Sequence, residues 1–478
     1  MLSARPLRLA LVVIVVAVVL PAAAVKAAPR MPIGFYDDPS FRWSSPSAIV
    51  ANLKAAAAAH ASIVHLLADW SQIAPTQPKN PLNGDDPAYH LSDLDAIVRT
   101  APRYGLQVFI TISNTPKWAN GGQTVNHPPT HLSDLTNFAH MLAARYNGRH
   151  PGFGAVTRWA IWNEPNLQLF LTPQFNSAGK IVSAAEYAKI YQAGYTGIIE
   201  GNPGALVAIG ETSNRGHNHP TEPAISDSVA PATFAHLVAQ ANPHLKFAAW
   251  SEHPYPFIGP NIGPEQKASY PNVELTNLGQ FAASLKQWFH RTVPIWITEW
   301  GEQTKPQYPQ GGVSYAKQAA DAKEALDIAA KTPDVEMFIW FILRDSTSQT
   351  WFSGLETASG AKKPAYAAFA SQAKNIDGQT QLVNPRASSF KVKLDVPFIA
   401  YHAKPGSPVG VTYLVLSGKN DKSAAAQGQP RVELAADETV TFTVKFKPAK
   451  GALYPMKVVV NDREGQAVTR WVELVAES

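Results

Sequence analysis

Ala155-Val156-Thr157-Arg158-Trp159-Ala160-Ile161-Trp162-Asn163-Glu164-Pro165-Asn166 is the stretch on which the fold turns. Its first seven residues are mostly apolar, β-branched or aromatic, and Gly154 and the Asn/Pro cluster bound them. That composition predicts a buried strand. Glu164 then falls just past the strand's carboxyl end. A second run of the same kind, Val293-Pro294-Ile295-Trp296-Ile297-Thr298, delivers Glu299, followed by Trp300-Gly301. Two carboxylates thus stand at two strand ends, each beside tryptophan.

Working outward, strand-like and helix-like runs alternate from Pro32 to about residue 373. The strand-like runs lie at 33–36, 61–67, 106–112, 155–161, 205–210, 245–250, 293–298 and 335–342. Helical patterns occupy 47–60, 91–104, 133–146, 184–200, 233–240, 276–289, 315–331 and 363–373. Strand-helix alternation argues for a parallel sheet, and these units fit an α/β fold, a (β/α)8 TIM barrel with loop insertions, over residues 28–376. The competing architecture, a doubly wound open sheet, usually carries a glycine-rich phosphate loop after its first strand. Phe35-Tyr36-Asp37-Asp38-Pro39 is not such a loop. In a barrel the carboxyl ends of the strands are where chemistry is done.

Near Asp377-Gly378 the helical periodicity stops. Short alternating runs at 390–394, 411–416, 440–446 and 456–460 follow, separated by Gly, Pro, Asn and Asp. Residues 377–478 are therefore expected to form an antiparallel β-sandwich, with a structural role favoured over sugar binding.

Composition narrows the chemistry. The 478 residues contain no cysteine, so disulfides, thiolate metal sites and cysteine nucleophiles are excluded. Arg5 and Arg8 precede the apolar run 9–20, and Val25-Lys26-Ala27 supplies small residues. This is the pattern of a secretory signal peptide over 1–27 and implies an exported, extracellular protein. An uncleaved anchor is the alternative, but the run is shorter than the about 20 residues a span needs. Three of the positive charges behind the net +5 lie in that leader, leaving +2. No basic stripe marks a nucleic-acid partner.

The two glutamates point to glycoside hydrolysis. A retaining glycosidase needs two carboxyl groups about 5 Å apart, one ionised as nucleophile and one protonated as acid. The fourth and seventh strands of a barrel face each other closely enough across the mouth. Glu164 is then the acid/base, its proton retained by burial and by the partner's charge; Glu299 is the nucleophile. Each alone could be an ordinary solvated strand-end residue, but their joint placement argues otherwise.

Trp162-Asn163-Glu164-Pro165 and Thr298-Glu299-Trp300-Gly301 resemble the two signatures of glycoside hydrolase clan A, retaining (β/α)8 enzymes with catalytic glutamates on strands four and seven. Asp69-Trp70-Ser71-Gln72-Ile73-Ala74-Pro75, Asn114-Thr115-Pro116-Lys117-Trp118-Ala119 and His253-Pro254-Tyr255-Pro256 look like segments of family 39 and cellulase-like family 5 members. The resemblance implies that Asn163 binds the sugar 2-hydroxyl, that Tyr255 holds Glu299, and that His253 lines the same pocket. It also implies that Trp340 floors the subsite before the cleaved bond, and Trp118 is a further sugar contact. A tryptophan face suits the apolar face of a pyranose, with core packing the alternative for both. His65 stands where many clan members carry an arginine supporting the nucleophile, so a support charge is expected to be missing.

Glu252, also at a strand end, is expected to pair with a neighbouring base rather than bind substrate. His217 and His219 lack the spacing of a zinc helix and read as a solvated loop. No cofactor and no metal are called for. The substrate is expected to be a polysaccharide or oligosaccharide, with endo action favoured by the long loops. An exo-acting xylosidase or arabinosidase is the alternative among enzymes; a non-catalytic carbohydrate-binding barrel is the alternative of another class.

Overall fold

The computed structural model describes residues 31–149, 153, 155–257, 259, 261–346, 351–376, 380–396, 405–417, 423–436, 439–450, 452–461 and 467–476. The expected leader at 1–27 lies outside them. Strands β1 (Ile33–Tyr36), β2 (Ile63–Asp69), β3 (Gln107–Ser113), β4 (Arg158–Ile161), β5 (Leu206–Ser213), β6 (Ala249–His253), β7 (Ile295–Trp300) and β8 (Val335–Phe341) close in sequence order into a barrel. Every pair around it is parallel, including β1 with β8. Helices Pro46–Ala58, Ser92–Thr100, Leu132–Arg145, Ser183–Gly201, Pro231–Ala241, Leu278–Phe289, Tyr315–Lys331 and Pro364–Ile376 follow the strands in turn.

Period-two alternation sorts the strand side chains into two cores. Along β3, Phe109 joins the small interior core with Tyr36, Ala160, Trp296 and Met337, whereas Ile110 and Ile112 join the layer beneath the helices. Serines start two of the helices: Ser45 accepts from the N–H of Ala48 and Ser314 from that of Lys317, meeting donors that would otherwise have no partner. Gly197 and Gly201 let the helix Ser183–Gly201 lie against the helix Leu132–Arg145. A Cβ at Gly197 would come within 2.1 Å of the Thr136 carbonyl oxygen.

Five strands run further toward the mouth than hydrophobicity predicts. β2 continues to Asp69, β3 to Ser113, β5 to Ser213, β6 to His253 and β7 to Trp300. Apolar patterning fades at that height because inward positions there carry polar groups, while the backbone ladder continues.

The C-terminal region forms two sheets. Strands β9 (Thr380–Val383), β10 (Ser389–Asp395), β11 (Pro408–Leu416), β12 (Ala424–Gly428), β13 (Arg431–Glu433), β14 (Thr439–Lys445), β15 (Leu453–Asn461) and β16 (Ala467–Ala476) build them. β10 pairs with β14; the other sheet runs β12-β11-β15-β16-β9, with β13 also on β11. Val409, Val411, Tyr413 and Val415 meet Val440, Phe442 and Val444 in a core of their own. The pairing is antiparallel except at one edge, where β9 lies parallel to β16. β9 leaves the last barrel helix and enters the sheet beside the final strand, so it lacks the hairpin connection that antiparallel neighbours share.

Candidate active site

Glu164 occupies the turn after β4. The backbone N–H of Trp162 donates to the Ile112 carbonyl at 2.7 Å and its indole N–H to the Phe170 carbonyl at 2.7 Å. Trp162 and Glu164 both adopt left-handed backbone, with φ of 72° and 38°. Such a conformation costs a non-glycine residue about 1 kcal/mol or more, so the surroundings must impose it. Two contacts do so. The N–H of Glu164 donates to the Glu211 carbonyl at 2.9 Å. Asn166, fully buried, donates to the carbonyls of Ser213 and Val229 at 3.1 and 2.9 Å and accepts from the N–H of Ser213 at 2.8 Å.

Glu299, at the end of β7, points into the same space. Between the two carboxyls lies His253, the last residue of β6 and fully buried. Its Nδ1 is 3.1 Å from Glu164 Oε1 and 3.7 Å from Glu299 Oε2. One carboxyl oxygen of each glutamate and a nitrogen of His253 all lie within 4.8 Å of one another. The hydroxyl of Tyr255 donates to Glu299 Oε2 at 2.8 Å.

Charge follows from this packing. Burial alone would strip His253 of its proton, but the charge of Glu299 and the hydrogen bond with Glu164 outweigh it and push the imidazole up to about 9. Burial lifts Glu299, and Glu164 lifts it further; His253 and the Tyr255 hydroxyl pull it back, to about 7. An imidazolium thus bridges the two carboxyls. Such a trio can hold one anion to attack and one acid to protonate a leaving group. The same atoms are close enough to hold a cation, but ligation would require His253 to give up the Nδ1 proton that bridges to Glu164. Beside the pair, Tyr255, Phe257, Gly301, Glu302, Val313 and Trp351 line a small open cavity.

The cellulase model, glycosyl hydrolase family 5, matches residues 28–345. The chain belongs to this family. No curated protein matches it. Among solved structures it is similar to a glucosidase from Croceicoccus marinus, with a TM-score of 0.53 and 13% identity over 87% of this chain and 93% of that one. A monomeric beta-xylosidase from Caulobacter crescentus aligns with a TM-score of 0.52 and 12% identity over 88% and 96% of the two chains. A family 39 glycoside hydrolase from Bacteroides cellulosilyticus gives 0.50 and 15% over 87% and 81%. Identities this low show the shared fold. The protein is a clan A glycosidase built on a (β/α)8 barrel.

Within this glycosidase the site residues read from the sequence divide. Glu164, Glu299, His253 and Tyr255 meet at one point. Asn163 directly precedes Glu164 and is half-buried. Trp340 is a correction. It is fully buried in the layer beneath the helices, its ring 5.2 Å from that of Trp300 and its N–H donating to the Ser353 carbonyl at 2.9 Å. Strand alternation turns it outward and turns its neighbour Phe341 inward, beside Tyr36 and Trp351. Trp118 is also a packing residue. It meets Trp70 edge-on at 5.7 Å and its N–H is spent on the Ala74 carbonyl at 2.8 Å. Glu252 makes no ion pair among the described residues. It faces outward from β6, and Thr212 and the Trp250 indole donate to it.

His65 does lie beside the strand end that carries Glu299. Its Nδ1 is 3.2 Å from the carbonyl of Thr298, the residue before Glu299. Burial, with His253 adding to it against the Thr298 bond, holds the imidazole down to about 3. It is neutral, and the supporting charge is absent. Two further residues escaped the sequence reading. Trp351 stands against Tyr255 at 5.5 Å but comes from a loop with no pattern to mark it. Glu211 sits inside the barrel at the mouth end of β5, immediately after the run that hydrophobicity marks as strand. Its position as a further strand-end carboxylate, beside Glu164, Glu299 and Glu252, was the available signal.

Proposed function

We propose that the enzyme hydrolyses glycosidic bonds of a polysaccharide or oligosaccharide with retention of configuration. Glu299 attacks the anomeric carbon while Glu164 protonates the departing oxygen, which leaves a glycosyl ester on Glu299. Glu164 then takes a proton from water, the hydroxyl oxygen bonds to the anomeric carbon, and Glu299 departs as carboxylate. The observation that carries this reading is the carboxyl separation. One carboxyl oxygen of Glu164 and one of Glu299 lie within 4.8 Å of each other, where an inverting enzyme needs its carboxyls about 6.5–9.5 Å apart to admit a water. Tyr255 favours the anion of Glu299 by donating to it, and His253 steadies both groups. Asn163 is assigned the sugar 2-hydroxyl.

Endo action is favoured by the match to the cellulase family model. A specific observation favours exo action as the second reading. The loop after β5 pairs with the loop after β4 at Leu167 and Ser228, and Val229 donates to the Asn166 carbonyl at 2.8 Å, which walls one side of the mouth. Export is supported by the leader pattern at 1–27 alone.

The test is a screen of the purified enzyme on polysaccharides and aryl glycosides beside Glu299→Gln, with proton NMR of the first-formed anomer. A retained anomer and an inactive variant are the outcomes this reading requires. An inverted anomer, or full activity in Glu299→Gln, overturns it. Product size on a responsive polymer separates endo from exo action.

A further inference from the structure

Beneath the catalytic pair lies a third carboxyl that this reaction leaves unused. Glu211 sits at a bulge in β5 with φ of 48° and is fully buried. Its backbone carbonyl accepts from Glu164, as above. Its side chain runs the other way, across the barrel interior. Glu211 Oε1 is 2.9 Å from Thr111 Oγ1, Thr111 Oγ1 is 2.7 Å from His65 Nε2, and His65 Nδ1 is 3.2 Å from the Thr298 carbonyl. The chain thus joins the backbone of Glu164 to the strand that carries Glu299.

Counting donors and acceptors fixes its protons. A carbonyl only accepts, so His65 Nδ1 carries hydrogen. Between Glu211 and His65 Nε2 stands one hydroxyl, with one hydrogen to give. If Glu211 is an anion and His65 neutral, Thr111 faces two acceptors and one link has no hydrogen in it. One more proton repairs this. A protonated Glu211 donates to Thr111, which donates to Nε2. The alternative, a charged His65 donating through Thr111 to an anionic Glu211, separates two charges in a dry interior and is disfavoured. Burial acts in that direction, pushing Glu211 up to about 8 and His65 down to about 3. The rings of Tyr36 and Phe109, each 4.2 Å from that of His65, close off water.

We propose that Glu211, Thr111 and His65 hold one shared proton that keeps Glu164 and Glu299 in register, and that losing it ends activity at the alkaline side. Glu211 and His65 are positioning residues in this inference, which rests on the catalytic reading above. Six titratable groups face Glu211: His65 from β2, Glu164 after β4, His253 from β6, Glu299 from β7, Tyr36 from β1 and Tyr187 from the helix behind β5.

The experiment measures kcat/KM against pH for wild type, Glu211→Gln and Thr111→Val, with Glu299→Gln as control. A glutamine amide donates to Thr111 at every pH. Its alkaline limb should therefore move above that of the wild type, as far as the proton Glu164 must give the leaving group allows. Thr111→Val cuts the chain and should lower kcat with KM held. In parallel, 15N NMR of the histidine-labelled full-length wild type should find His65 neutral and protonated at Nδ1 through the working range. An imidazolium signal for His65, or an alkaline limb in Glu211→Gln that coincides with wild type, overturns the inference. If Glu211→Gln does not fold, an imidazolium signal for His65 still overturns the inference, and Thr111→Val with wild-type kcat does so too. Activity in Glu299→Gln would sink the catalytic reading instead, so the two failures are distinct.

Discussion

His253 Nδ1 stands 3.1 Å from Glu164 Oε1 and 3.7 Å from Glu299 Oε2, so a single imidazole spans both carboxyls of the site. It is held there by position, as the last residue of β6, rather than by a partner of its own. Its Nε2 has no hydrogen-bond partner among the described residues. Positive charge at this point lets two carboxyls share a small dry space.

Removing the proton donor should depend on the leaving group. Glu164→Ala is expected to lose most activity on natural substrates, by about ten-thousand-fold. On aryl glycosides whose phenol leaves without protonation, the first step should survive and the glycosyl-enzyme should accumulate. Rapid-quench mass spectrometry that finds no covalent adduct at Glu299 under those conditions counts against the assignment.

Tyr255→Phe removes the hydroxyl that donates to Glu299 at 2.8 Å. A hydrogen bond to a charged group is worth about 1.5–3 kcal/mol, which is a loss of roughly ten- to a hundred-fold in kcat. Folding should be intact, because Tyr255 is also anchored by backbone. Its carbonyl accepts from Asn214 at 2.7 Å. Steady-state kinetics with a melting curve separates the two effects.

Trp340 and Trp351 should behave oppositely. Trp340→Phe removes one of two donors to the Ser353 carbonyl, Gln318 keeping the other, and should cost about 1 kcal/mol of stability, with KM unchanged. Trp351→Ala, at the cavity beside Tyr255, should raise KM with a smaller effect on melting. If Trp340→Phe instead raises KM at wild-type stability, the outward placement of that ring is wrong.

Glu302 makes the fold sensitive to pH. Burial, and then the neighbouring Asp321, pushes its carboxyl from 4.5 up to about 10, so the folded state favours the protonated acid. That stabilisation is complete below about 4.5 and is lost as pH rises toward about 10, because the unfolded chain ionises first. Glu302→Gln does not titrate. Between about pH 5 and 9 the wild type should therefore lose more in melting temperature than the variant, by about 2 °C or more. Equal slopes for the two proteins would mean Glu302 is ionised in the fold.

How much was legible in the sequence depends on the type of residue. Apolar runs bounded by turn residues mark the eight barrel strands and the later change to short alternating strands. Neither end is exact. At the amino ends the apolar runs start early: β4 begins at Arg158 and β6 at Ala249, not at 155 and 245. β6 was read as ending at Trp250 but continues through Ser251 and Glu252 to His253, because polar side chains that serve the mouth erase the pattern while the hydrogen-bond ladder goes on.

Strand order and period, read along the chain, were enough for the barrel and for the two glutamates at its fourth and seventh strand ends, while His253 and Tyr255 came from the resemblance to clan A segments. Only the tertiary structure decided which way each ring points and who shares a proton with whom. Trp340 and Phe341 are adjacent, and a one-residue difference in strand phase sends one to the core and the other to the mouth. Glu211, Thr111 and His65 come from three strands, 100 and 46 residues apart along the chain, and no local pattern couples them. Their contact exists because a closed barrel brings inward-facing residues of different strands to the same height, where a dry interior leaves each polar group dependent on the others.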